Sequence, residues 1–205
     1  MNLINQLKKY PITISLIIIC ILFYLYTSIK FSFTMTAYQG YLAGGFSPQM
    51  VLLTKNYFPL ITANFIHFGI LHLLVNCISL WNLGRFIETN YKMSRYFILV
   101  SASALSTTLL PYLYFIIMQD GSSNYVAGGI SGLIFGLVGG ICALAYVFKG
   151  FYLGIVKSMS LNIAIITFIS ISVSNISFSG HFAGFVGGFI STMFLIRFYP
   201  SINWD

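Results

Sequence analysis

The sequence predicts an all-α, polytopic membrane protein, with six transmembrane helices in a single domain over residues 1–205 and both termini cytoplasmic. Three observations predict it. Of the residues, 58% are hydrophobic and only 6% are charged, with a mean hydropathy of +0.90. A soluble domain carries about 25% charged residues. No water-facing surface can be built from this composition, so the bilayer is the main solvent. Apolar runs of about 20 residues, enough to cross the hydrocarbon core, recur along the chain. The cations, finally, are distributed unevenly between alternate connections.

The first run, Ile12–Ile29, follows Lys8 and Lys9 and has Pro11 at a helix-start position. It is long for a signal sequence and no small-residue cleavage site follows, so a retained anchor helix is expected. The second run is roughly Ile61–Ile87. The third, Tyr96–Met118, carries Pro111 and is expected to kink there. The fourth is Ile130–Phe148, the fifth about Ile155–Val173, and the sixth Gly180–Tyr199, ended by Pro200. No appended soluble domain, repeat array or low-complexity segment is visible.

With the N-terminus inside, the inner segments carry Lys8, Lys9, Arg85, Lys92, Arg95, Lys149, Lys157 and Arg197, and the outer ones only Lys30 and Lys55. That asymmetry is the positive-inside pattern. It also accounts for the net charge of +7, because the scattered cations form no cluster of the kind that binds nucleic acid. The connection Lys30–Leu60 is long and rich in aromatic and aliphatic residues, so it is expected to lie in the membrane interface. The loop Gln119–Gly128 is polar and is expected to be flexible. Cys20, Cys77 and Cys142 sit inside apolar runs without metal-like spacing and are expected to be small buried side chains.

Polar residues inside a membrane are costly, and so are functional candidates. All three histidines, His67, His72 and His181, fall in the outer part of a predicted helix. Asn76 lies four residues after His72, on the same helical face. Ser131 lies at the same depth, at the head of the fourth run in Gly128-Gly129-Ile130-Ser131-Gly132. Interhelical hydrogen bonding would explain a lone serine or asparagine, but three histidines at one depth ask for more. A zinc site would need ligands on one face, and His67 and His72, five residues apart, turn away from each other. No His-Glu-x-x-His motif is present either. No metal or other cofactor is therefore expected.

Nucleophilic chemistry fits better. A serine hydroxyl needs a base, and neutral imidazole serves near pH 7. Ser131 supplies the nucleophile and His181 the base. Asn76, His72 and the Ser131 backbone N–H offer donors for a developing oxyanion. The acids, Glu88, Asp120 and Asp205, lie at the inner side or in a polar loop. A Ser–His dyad is thus expected, with the histidine held by packing. Gly128, Gly132, Gly136 and Gly140 recur every four residues, as do Gly180, Gly184 and Gly188. Such small-residue faces let helices approach closely, which would bring Ser131 to His181. Phe135, four residues on from Ser131, can pack on the imidazole.

This pattern resembles the rhomboid intramembrane serine proteases over about Phe58–Gly188. His67-x4-His72-x3-Asn76, with the Gly84 and Glu88 that follow, is similar to the family's histidine–asparagine motif. Gly129-Ile130-Ser131-Gly132 resembles its Gly-x-Ser-Gly motif, and His181-x2-Gly184-x3-Gly188 its histidine helix. The resemblance implies a rhomboid-like bundle with Ser131 as nucleophile and His181 as general base, then acid. It implies an oxyanion hole of His72, Asn76 and the Ser131 backbone, and a site shaped by Gly129, Gly132, Phe135, Gly184 and Gly188. It further implies a membrane-embedded first loop, a lateral gate at the fifth helix, and substrates that are single-span membrane proteins in a lipid bilayer. Its setting would be a bacterial plasma membrane, with the site toward the extracytoplasmic side. Three positions depart from the family: Phe58-Pro59 where Trp-Arg is common, Phe135 where tyrosine is common, and Gly180 in place of alanine. None removes a reacting atom. The rival readings are a non-catalytic rhomboid-like protein that binds membrane helices and a small transporter; the transporter predicts an inverted repeat, and none is seen.

Overall fold

A computed structural model describes residues 3–118, 125–160 and 177–198. In chain order the helices are α1 (Leu3–Lys9), α2 (Pro11–Lys30), α3 (Ala37–Leu42), α4 (Pro48–Thr54), α5 (Pro59–Thr62), α6 (Ile70–Asn90), α7 (Met93–Met118), α8 (Ser131–Phe148), α9 (residues 150–160) and α10 (Phe178–Phe198). Five of these, α2, α6, α7, α8 and α10, are long and apolar enough to cross a membrane. The expected fifth span, Ile155–Val173, begins in α9, and its remainder lies outside the described residues. So do most of the loop expected to be flexible and the last residues of the chain.

Four of the six runs match a helix to within about three residues at either end. Pro11 is the first residue of α2, where its missing N–H costs nothing. α7 continues through Pro111 without a break in its helical assignment. The second run is different. The chain turns through α5 and a short 3-10 helix, Ala63–Phe65, becomes extended at Ile66, and starts α6 only at Ile70 after an extended Gly69. His67 therefore sits in the connection before α6, not within the helix as expected. The break has a use: the Ala63 carbonyl accepts from Gly129 N–H at 2.9 Å and the Phe68 carbonyl from Met35 N–H at 3.0 Å. At about 1.5 Å per residue, the 21 residues of α6 still span roughly 30 Å.

α8 is the central helix. In its most apolar stretch 67% of residues are buried within the protein, against 28–39% for the other four. Its glycines make this possible. A β-carbon on Gly188 would overlap the Gly136 carbonyl, and one on Gly139 would overlap the Phe185 carbonyl. α8 and α10 thus pack backbone against backbone, with Leu133, Leu137, Ile141 and Leu144 filling the core around them.

The connection 31–58 carries α3 and α4 rather than a plain loop. α3 opens with a reciprocal capping box between Thr36 and Gln39. Phe33, Tyr38, Leu53, Tyr57 and Phe58 stay exposed, as an interfacial segment requires. Phe46 ties this connection to the start of α8. Its N–H and carbonyl both pair with Ala127 at 2.8 Å, which anchors 125–128, the described end of the loop expected to be flexible.

At the opposite end, Glu88 of α6 accepts from Ile12 N–H at 2.8 Å and Thr13 N–H at 3.0 Å. A carboxylate there satisfies orphan donors of α2 and complements its dipole. Thr13 and Tyr96 share a 3.0 Å hydroxyl hydrogen bond, and a β-carbon on Gly84 would meet both oxygens at 2.8 Å. α2, α6 and α7 are stapled together at that end.

Candidate active site

Ser131 is the first residue of α8, and Ile130 is its N-cap. The preceding Gly129 has φ of +116°, a conformation open to glycine and strained for other residues. This turn sends the chain into α8 with the Ser131 side chain at the edge of the bundle core. Its backbone N–H belongs to the first turn, where no intrahelical acceptor exists.

Ser131 Oγ lies 2.6 Å from Nε2 of His181. His181 is buried in the first turn of α10, and its ring stacks on Phe135 at a centroid distance of 4.5 Å and an interplanar angle of 14°. The glycine faces set that distance. A β-carbon on Gly184 would overlap the Gly132 carbonyl, and one on Gly132 would overlap Thr107. Both contacts are one turn or less from the reacting pair.

His72 and Asn76 reach the same point from α6. A β-carbon on Gly129 would stand 2.7 Å from His72 Nε2 and 3.4 Å from Asn76 Nδ2. Asn76 is buried and its Nδ2 has no hydrogen-bond partner. Such an orphan donor is rare in a native protein. His67 is fully buried behind His72, with ring centroids 5.1 Å apart. Its Nδ1 lies 3.1 Å from the Phe65 carbonyl, so the proton sits there and Nε2 is bare. Burial, with His72 as a lesser cause, lowers its pKa to about 3.

Ser131, His181, His72, Asn76, Gly129, Gly132, Phe135, Gly184 and Gly188 thus meet at one end of the bundle or on the α8–α10 seam beside it. A cavity of about 30 Å³, room for one or two waters, opens there between His72, Gly129, Ser131 and His181. Sequence reasoning missed part of its lining. Asn64 is buried against it, with Nδ2 donating to the Ile61 and Ala104 carbonyls and Oδ1 unpaired. Thr107 and Thr108 come from α7. An asparagine and a Thr-Thr pair inside apolar runs were the available signals. Glu88, sixteen residues beyond His72 on α6, is about 24 Å away along the helix and is engaged by α2. Asp120 and Asp205 lie outside the described residues.

Comparison with known proteins identifies the family. The model of the Rhomboid domain matches residues 54–198. Rhomboid protease GluP of Bacillus subtilis (strain 168) is 28% identical over 153 residues, which cover 73% of this chain and 28% of that protein. RHOMBOID-like protein 4 of Arabidopsis thaliana is 25% identical over 169 residues, 78% of this chain and 39% of its own length. The match spans less than two fifths of either relative. With the Rhomboid domain covering most of its length, the chain belongs to the rhomboid family.

Proposed function

We propose that the chain is an intramembrane serine endopeptidase that cuts peptide bonds in or near the transmembrane segments of single-span membrane proteins. One observation carries the reading: the 2.6 Å contact between Ser131 Oγ and His181 Nε2, at the depth where Asn76 holds an unpaired buried donor. A packing serine has no need of an imidazole at this distance and a spare amide beside it.

In this reading the Ser131 hydroxyl gives its proton to His181 Nε2 as Oγ attacks the substrate carbonyl carbon. The oxyanion takes hydrogen bonds from the Ser131 N–H, Asn76 Nδ2 and His72. His181 then hands the proton to the leaving amine nitrogen as the C–N bond breaks. Water, deprotonated by the same base, hydrolyses the acyl-enzyme and restores Ser131. Each oxyanion donor is worth roughly 10²–10³ in rate. The cavity beside Ser131, about 30 Å³, has room for that water and not for a peptide. A substrate's helical peptide bonds are shielded by their own hydrogen bonds, so the substrate must unwind locally to reach Ser131.

The cation distribution supports six spans with both termini inside and a site toward the extracytoplasmic side. The test is labelling by a fluorophosphonate, compared between the unaltered protein and Ser131→Ala, with co-expression of tagged single-span substrates. Serine-dependent labelling and cleavage are expected. Absence of both from a folded protein would leave the binder of membrane helices, the second reading.

A further inference from the structure

Lys9, Tyr10, Trp81 and Arg85 form a continuous row at the end of the bundle away from Ser131. Lys9 Nζ lies 5.3 Å from the Tyr10 ring centroid, Tyr10 packs edge-on against Trp81 at 5.9 Å, and the Arg85 guanidinium lies 5.0 Å from the Trp81 ring. The row joins the α1–α2 junction to α6. Tyr10 is buried and Trp81 half-buried, while Lys8, Lys9, Arg85 and Thr89 are exposed. The cations therefore project from an aromatic base. The Lys9 ammonium beside the Tyr10 hydroxyl, helped by Thr89 and Arg85, holds that phenol below its ordinary pKa.

No acid among the described residues neutralises this corner. Among the described residues Glu88 is the one carboxylate near it, and both its oxygens accept from α2 backbone N–H groups. The level also matters. Tyr10 directly precedes the first residue of a membrane-spanning helix, so the aromatic pair lies where acyl chains meet headgroups. Exposed cations without acids, on an aromatic platform at that level, fit a phosphate carrying net negative charge.

We propose that this corner is a binding site for an anionic phospholipid. Lys9 and Arg85 hold the headgroup phosphate, Lys8 lies within the same field, and Tyr10 and Trp81 pack the glycerol and the upper acyl chain. The site is independent of the chemistry at Ser131.

The chain has two tryptophans, Trp81 and Trp204, so Trp204→Phe leaves Trp81 as the sole reporter. The protein is reconstituted in phosphatidylcholine vesicles that contain equal fractions of brominated phosphatidylglycerol or brominated phosphatidylcholine. Trp81 emission is expected to be quenched more by the anionic lipid. Each of Lys9→Gln and Arg85→Gln should weaken that preference about five-fold, and the pair should abolish it. The charge-keeping variants Lys9→Arg and Arg85→Lys should retain it. Equal quenching by the two lipids in the Trp204→Phe protein overturns the proposal, as does a preference that survives loss of both cations in that background. Removal of the preference by excess inorganic phosphate would mean a site for free anions, and would overturn the assignment to lipid.

Discussion

Gly184 of α10 meets Gly132 of α8 backbone to backbone, so closely that a β-carbon on Gly184 would overlap the Gly132 carbonyl. Gly132 follows Ser131 directly, and Gly184 lies one turn beyond His181. Helix packing and the Ser131–His181 distance are therefore one quantity. Gly184→Ala must push the helices apart. Overpacking of this kind costs about 1–3 kcal/mol, and a 1 Å misplacement of reacting groups costs roughly 100-fold in rate. The labelling rate at Ser131 should fall by about that factor in protein that remains folded. Gly154→Ala is the control, since a β-carbon there meets nothing within 4 Å. It should be neutral or slightly stabilising.

Asn76 separates stability from activity. Its Nδ2 is buried without a partner, and a buried unsatisfied donor costs about 1–3 kcal/mol. Asn76→Ala removes that penalty while leaving a small void, so the unfolding midpoint should hold or rise. If the amide serves the oxyanion, turnover should fall roughly 100- to 1,000-fold. Unfolding curves and cleavage rates measured on the same preparations check both halves. A large loss of stability with unchanged turnover would make Asn76 a structural residue.

Glu88 predicts the opposite pattern. It caps α2 with two hydrogen bonds, far from Ser131. Glu88→Gln keeps the shape but turns an amide toward one of the two N–H donors. An unfolding free energy lower by about 1–3 kcal/mol is expected, with cleavage per folded molecule unchanged. Titrating active sites with the fluorophosphonate gives the folded fraction needed for that comparison.

Most of the site was legible in the sequence because its determinants are local and periodic. Glycines at four-residue spacing mark the α8–α10 seam, and Ser131, Phe135 and His181 are placed by their distance from it. The Phe135–His181 stack follows from one helical turn. What was not legible depends on pairing between distant segments. Asn64 and His67 interrupt the apolar run through Ala63–Gly69 without being helix breakers, so only Gly69 signals that the chain leaves the helix there. The cause is tertiary, the Ala63 carbonyl serving Gly129 and Phe68 serving Met35. The Phe46–Ala127 pairing and the capping of α2 by Glu88 are likewise contacts across more than seventy residues. No period in the sequence encodes them.

The break before α6 gives a last prediction, concerning acid. His67, in that connection, is fully buried and its pKa is lowered from 6.5 to about 3, chiefly by burial and then by His72. Above about pH 6.5 the ring is neutral in both folded and unfolded chains, and its contribution to stability is fully present. As pH falls below that value the unfolded chain gains a proton that the folded one refuses. Stability then drops by up to about 1.4 kcal/mol per pH unit, or about 4–5 kcal/mol by pH 3. His67→Gln keeps a donor for the Phe65 carbonyl and removes the titration. Between pH 7.5 and pH 4.5, the unfolding free energy in detergent should fall less steeply for His67→Gln than for the unsubstituted protein. His72 and His181 are present in both proteins, so the difference in slope reports His67 together with its coupling to His72. Parallel slopes would mean that His67 takes up its proton without unfolding, and that the connection before α6 opens to water.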